Sequence, residues 1–446
     1  GNIAVEGRVA LCLNGFMLSG REVDYDTTNG AIIKVKSGAE FTLCDCGGES
    51  GNSDSKHKYY VAEDGEYVFF EGDLPSDAPN DAQTGVITGG VITNGVVQNG
   101  STEASAVLIE EDAEFHMEGG TIAGNTVNTY LGESTIHISE NASFTMSGGS
   151  IRGNQGSGSG GVYCIGKFTM TGGDISYNCS QSGAGVCSRG YFLLDGGKIV
   201  GNKARGGAGG VSVDMGEFVM LSGIISENRA LNGNGGAVSV GGSTLAPATF
   251  TMEGGTISGN HAYKLSHGVF LGYDGTFNMN GGYFSGECGR EYSAKEININ
   301  GGYFSEGNPE KNSVEGRKVA ENKIVAAISP DFGDENYVSG FDFAVYDAGE
   351  TILDLTPKKE NPIYDGAVLE TIKDFNAAAN YRVSSTSLPA EMEFSYSSNG
   401  VDFIGGLPIN AGEYTLKVSV QGYFDSSKKI YCPPLNKTMD ITVEKA

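Results

Sequence analysis

Tryptophan is absent from this sequence and histidine occurs only five times. Basic residues are outnumbered as well: 29 Lys and Arg stand against 55 Asp and Glu, a formal net charge of −26. Phosphate neutralisation needs clustered Lys and Arg, so nucleic acid and anionic membrane surfaces are not expected partners. No stretch approaches the roughly 20 apolar residues that span a bilayer, so no membrane insertion is expected. The eight cysteines are too sparse in 446 residues for a disulfide-stapled fold. Cys44 and Cys46 are one residue apart, with no matching ligand pair and no histidine cluster nearby, so they read as free thiols. No metal site and no cofactor is expected.

Glycine is in excess: 70 of 446 residues, more than twice its usual share of about 7%. Hydrophobic residues still make up 39% of the chain, with 21 Phe and 21 Tyr. That is ample material for a packed core, and it excludes disorder as a whole-chain description. An ordinary helical protein is excluded by the glycine.

The glycine belongs to a repeat. FHMEGGTIAGN begins at Phe115, and near copies begin at Phe144 (FTMSGGSIRGN), Phe168 (FTMTGGDISYN), Phe192 (FLLDGGKIVGN), Phe218 (FVMLSGIISEN), Phe250 (FTMEGGTISGN), Phe277 and Ile297. Apolar residues fall two apart, then recur after a Gly-Gly corner, which is strand periodicity broken by a bend. A third alternating run precedes each copy, as at Val186, Val211 and Val238. Three short strands per repeat cannot bury their apolar side alone, but stacked turns about 4.8 Å apart pair every backbone group with the next coil. The expected fold is all-β: a right-handed, single-stranded parallel β-helix of about ten coils, roughly 48 Å long, followed by a small antiparallel β-sandwich. The Phe and Met positions form interior columns, and the methionines are core, not a metal stripe. The Asn that closes each copy, from Asn125 to Asn260, reads as a structural ladder that satisfies polar atoms at a corner.

The helix is expected to occupy residues 1–305, with Leu11, Leu13, Gly15 and Leu18 placed in the repeat template at its start. An insertion interrupts it at about 49–84; its middle, KYYVAEDGEYVFF, reads as a hairpin turning at Asp64-Gly65. A cover over the exposed end of the first coils is its simplest role. Residues 306–357 read as a capping and transition segment. Residues 358–446, with alternating runs at Met392–Tyr396 and Tyr414–Val420, read as an immunoglobulin-like β-sandwich.

The FTMxGGxIxGN repeats and the opening VALCLNGFMLSG resemble the β-helix repeats of bacterial surface and secreted proteins in the pectate-lyase-like superfamily. IYDGAVLE (residues 363–370) and LPINAGEYTLKVSV (residues 407–420) are similar to the YDG or MBG type of immunoglobulin-like repeat in bacterial surface proteins. The resemblance implies a protein secreted by, or displayed on, a bacterium. It does not supply a reaction, because β-helices of that superfamily include lyases, hydrolases, esterases and adhesins.

A hydrolase on this scaffold needs converging carboxylates, and a lyase needs acidic calcium ligands near an Arg or Lys base. The Asp-Asp and Gly-His-Gly signatures are absent, so no catalytic residue is assigned. Two charge pairs, Arg189 with Asp214 and Asp174 with Lys198, are expected to stack as exposed ion pairs. What remains is a basic and aromatic strip just after the Asn ladder: Lys203, Arg205, Arg229, His261, Tyr263, Lys264 and His267, with Tyr130 in the same loop of an earlier coil. Of these, Tyr130, Lys203, Arg205, Arg229, Tyr263 and Lys264 are the candidate ligand-binding residues, suited to carboxylates or sulfates of a glycan and to stacking on sugar faces. The expectation is a non-enzymatic, adhesin-like protein that is secreted or on the cell surface and whose partner is a glycan or a host or cell-surface protein. The alternative is a carbohydrate-active lyase or hydrolase acting on an acidic polysaccharide.

Overall fold

The computed structural model describes residues 3–20, 31–46, 56–63, 65–94, 96–98, 105–128, 134–181, 183–264, 266–291, 293–305, 317–357, 363–364, 375–408, 410 and 412–445. The chain divides into two compact units, Gly1–Lys318 and Val319–Ala446.

The first unit is the expected parallel β-helix. The coil around Phe168 shows the pattern: strands Ser159–Cys164, Lys167–Met170, Asp174–Ser176 and Cys179–Ser180 follow one another round the coil. Each pairs in parallel with its counterpart one coil on, so Val162 meets Val186, Phe168 meets Phe192, Ile175 meets Ile199 and Ser180 meets Ala204. Strand Tyr191–Val200 runs through the Gly-Gly corner and joins the Phe and Ile columns.

A coil therefore holds four strands, one more than the periodicity predicts. The fourth, directly after the Asn, is as short as two residues and sends a single small side chain inward, buried at Ala204, Ala230 and Ala262. One inward residue leaves no alternation to detect. In register on its outer side stand Thr126, Gln155, Cys179, Lys203, Arg229 and His261.

The interior is built from like residues. Rings from Phe115 to Phe277 stack at 4.6–4.9 Å between centroids, each pair worth about 0.5–1.5 kcal/mol beyond its buried area. The Met column beside it is fully buried. It also explains the corner: Gly173 has φ +77°, and a Cβ there would lie 2.6 Å from Met146 Cε of the preceding coil. The asparagines form the ladder. Asn178 Nδ2 donates to Asn202 Oδ1 at 3.0 Å and to Ile151 O at 2.9 Å, and its backbone N–H donates to the same Asn202 Oδ1 at 3.0 Å.

Two expectations of register change. In the first coil Val9 pairs with Phe41 and Leu11 with Leu43, so Leu11 belongs to the Met column, two residues on from the template. Leu18 still reaches the Ile column opposite Ile92, because this corner is longer by the same two residues. The stacked charges adopt the expected neighbouring positions but not ion pairs. Arg189 donates to Tyr163 Oη at 3.3 Å, whereas Asp214 accepts from Ser212 Oγ at 2.6 Å. Asp174 is opposite Lys198 but takes its hydrogen bond from Ser176. Local hydroxyl partners two residues away win over an exposed charge whose pairing is worth about 0–1 kcal/mol.

The second unit is mainly antiparallel, with short parallel pairings of Asp347 with Ile430 and of Ile363 with Glu444. One sheet sets Phe375–Val383 between Glu350–Pro357 and Thr386–Pro389, and another is centred on Gly412–Val420 against Leu435–Lys445 and Glu393–Ser397. Leu353, Leu355, Val383, Leu416, Val418 and Val443 fill its core. A buried carboxylate pins one edge: Asp334 accepts from Lys429 Nζ at 2.7 Å and from Tyr346 Oη at 2.5 Å. Tyr414–Val420 lies in a strand as expected, whereas residues 365–370 of the IYDGAVLE motif lie outside the described residues.

Candidate functional site

The insertion packs along the flank of the coils, and this replaces the expected cover over their end. Strand Lys56–Val61 pairs antiparallel with both Tyr67–Phe70 and Thr84–Thr88. Its apolar face explains the docking: Tyr67 and Ile87 are buried with Val91 and Ala123 of the coils, and Tyr59 and Phe69 pack around them. Polar contacts run across several coils. His57 Nε2 bonds to Gly15 O at 3.0 Å, Glu66 accepts from Thr126 Oγ1, and Tyr67 N–H donates to Gly153 O at 3.0 Å.

The hairpin tip ends at Cys179. Gly65 has φ +94°, and a Cβ there would lie 2.6 Å from Cys179 Sγ, so only glycine lets the tip seat. Cys179 is thereby left only 8% exposed. The next residues of the same outward row, Lys203, Arg229 and His261, are uncovered.

A groove of about 1020 Å³ lies between the two walls. The hairpin supplies Tyr59, Tyr67, Gln83 and Thr84; the coils supply Arg152, Tyr177, Lys203, Glu227, Arg229 and His261. On the other side of the tip a smaller hollow of about 450 Å³ shares Gly65, Cys179, Lys203 and Arg229, and adds Glu63, Gln155 and Arg205.

The aromatic side of the groove is held together by ring and guanidinium contacts. Tyr59 and Tyr67 stack at 4.1 Å. The Arg152 guanidinium lies 5.5 Å from the Tyr67 ring centre and 5.7 Å from that of Tyr177, and donates to Tyr67 Oη at 3.4 Å. Burial pushes the Tyr67 phenol up to about 12, with Arg152 pulling the other way. Burial also works against the charge on Arg152, but the Tyr67 hydroxyl and the nearby Asp174 carboxylate hold that charge in place. Arg152 Nε is enclosed without a hydrogen-bond partner.

Two lining residues occupy a backbone position that other coils give to glycine. The residue before each ladder Asn is left-handed: Gly153, Gly201 and Gly259 have φ between +58° and +69°. Tyr177 (φ +56°) and Glu227 (φ +58°) keep that conformation with full side chains. Such a residue costs roughly 1–2 kcal/mol in the left-handed region. Both of these line the groove, and the Tyr177 ring rests over Gly201, where a Cβ would lie 2.6 Å from it.

Of the residues expected from sequence, Lys203, Arg229 and His261 come together in register, and Arg205 lines the adjoining hollow. Tyr263, 72% exposed, and Lys264 line neither hollow. His267 turns back on the chain, its Nδ1 accepting from Ala262 N–H at 3.1 Å. Tyr130 lies outside the described residues. Sequence reasoning missed Tyr59, Tyr67, Arg152, Tyr177 and Glu227. Tyr177 and Glu227 carried a visible signal, since ISYN and ISEN break the glycine of the IxGN motif.

Chemically, the groove offers three cations, one carboxylate, a histidine and stacked tyrosines. Fold and groove define an all-β protein with a parallel β-helix that carries a lateral cleft. Comparison with known proteins adds no family: no family model, no curated protein and no solved structure matches the chain.

Proposed function

We propose that the protein is a non-enzymatic, exported bacterial surface protein that binds an acidic glycan in the groove. The observation that carries this reading is the stack of Lys203 and Arg229, one strand spacing apart, facing the tyrosine wall of the hairpin. Cations at a spacing of about 4.8 Å along the coil axis suit a linear chain with repeated carboxylates or sulfates. The tyrosine faces suit the apolar faces of sugar rings. A protein of net charge −26 repels polyanions elsewhere on its surface, so this local reversal of sign directs such a ligand to the groove. The resemblance of the repeats to pectate-lyase-like bacterial surface β-helices, and of residues 358–446 to the YDG or MBG immunoglobulin-like type, supports export and display.

Binding is favoured over hydrolysis because the larger hollow is lined by one carboxylate, Glu227, where two-carboxylate hydrolysis needs a facing pair. The test is an array of neutral, carboxylated and sulfated glycans probed with the intact chain, with the same polyanions monitored for unsaturated product. Retention of polyanions without product, lost in K203E/R229E, supports the proposal. Product formation, or retention unchanged in the double variant, overturns it.

A further inference from the structure

We propose that Cys12, Cys44 and Cys46 form a three-thiolate site for a borderline-soft divalent cation, with zinc as its natural occupant. Cys12 lies 34 residues before Cys46 in the sequence, and coil stacking brings it against the Cys44/Cys46 pair. Strand Arg8–Cys12 pairs with Glu40–Cys44 so that Cys12 stands directly opposite Cys44. Cys46 then turns back, its Sγ 3.0 Å from Cys12 Sγ in a shared hydrogen bond. All three sulfurs lie within 4.8 Å of one another, and among the described residues this is the one group of its kind.

The dimensions suit zinc. Thiolates about 2.3 Å from a tetrahedral zinc ion are about 3.8 Å apart, and the observed separations of 3.0 Å to within 4.8 Å bracket that value. The supporting shell is in place. Cys46 N–H points at Cys12 Sγ at 3.3 Å, a donor that stabilises a metal-bound thiolate. Between Cys44, which ends the second strand, and Cys46, Asp45 is tied down at both oxygens, accepting from Gly15 N–H and Gly90 N–H at 2.7 Å each. That clamp fixes the Cys44-Asp45-Cys46 backbone and turns the carboxylate to Gly15 and Gly90. Cys12 and Cys46 are exposed, so an ion enters without unfolding. Three thiols lose three protons as one cation binds, and three protein donors leave the fourth tetrahedral position to water.

The test uses the intact, reduced chain titrated with cobalt(II) alone, followed by zinc. The expected result is one equivalent of cobalt per chain with sulfur-to-cobalt charge-transfer absorption, bleached by zinc. C12S, C44S and C46S should each lower the affinity at least about tenfold, and C432S, a buried cysteine in the other unit, should leave it unchanged. Native mass spectrometry gives an independent readout: a zinc adduct on the wild-type chain and none on C12S. Absence of the charge-transfer band, its persistence in all three variants, or a Cys12–Cys46 disulfide in protein kept with zinc throughout would overturn the proposal.

Discussion

Lys203 and Arg229 stand directly opposite one another on neighbouring parallel strands, with His261 opposite Arg229 one coil further on. Like charges in that relationship destabilise a sheet. The row begins where the hairpin tip stops, since Cys179 in the preceding coil is covered by Gly65. The unfavourable pair is thus confined to the open floor of the groove.

Relieving this repulsion should separate stability from binding. Lys203→Gln is expected to raise stability by about 0.2–1 kcal/mol while weakening retention of polyanionic glycans. Urea unfolding and glycan binding measured on the same preparation check both halves. A loss of both together would mean that Lys203 is structural.

Glu227→Gly tests the strained backbone position in the same way. Glycine takes φ +58° without a Cβ clash, so stability should rise by up to about 1 kcal/mol. Specificity among acidic glycans should change, because the groove loses its carboxylate. A variant with unaltered glycan preference would remove Glu227 from the site.

Gly65→Ala should lift the hairpin tip. A Cβ there meets Cys179 Sγ at 2.6 Å in a backbone conformation unsuited to alanine. Alkylation of Cys179, slow in the wild-type chain because the thiol is buried, should accelerate in the variant. Peptide mapping after timed iodoacetamide treatment reads the difference.

Asn202→Ala should be the most damaging of these substitutions. It takes the acceptor from the backbone N–H and Nδ2 of Asn178, and removes donors to Ile175 O and Asn228 Oδ1. Each buried group left unpaired costs about 1–3 kcal/mol, so a loss of at least about 3 kcal/mol is expected. A lower urea midpoint for the β-helix transition checks it.

Alkali should weaken the groove wall through Tyr67. Its phenol is pushed up to about 12 by burial, above the ordinary value of 10.0. The folded state therefore keeps a proton that the unfolded state gives up. The stabilising contribution is complete below pH 10 and lost as pH rises toward 12. Tyr67→Phe should remove a phenolate step near pH 12 from a spectrophotometric titration.

The repeat made much of the architecture legible. Phe, Met, Ile and Asn recur at fixed offsets, and stacking turns those offsets into columns and a ladder. The first coil was misplaced by two residues because its corner is longer, and corner length has no hydrophobic signature. The fourth strand was missed because it buries one alanine. Of the site, Lys203, Arg205, Arg229 and His261 were visible as charges after the ladder, and the hairpin was visible as a hairpin. That Tyr59 and Tyr67 would face Arg152 and Tyr177 was not, since nothing in a two-residue alternation says where an insertion docks.

The parallel β-helix, its interior columns and its asparagine ladder follow from periodic local patterns repeated in every coil, and the mainly antiparallel sheets after it follow from short alternating runs separated by turns. Three-dimensional packing sets the insertion along the flank of the coils, stops its tip at Cys179, and brings Cys12 to Cys44 and Cys46. Those contacts join residues tens of positions apart through shape and register, which no short-range pattern encodes.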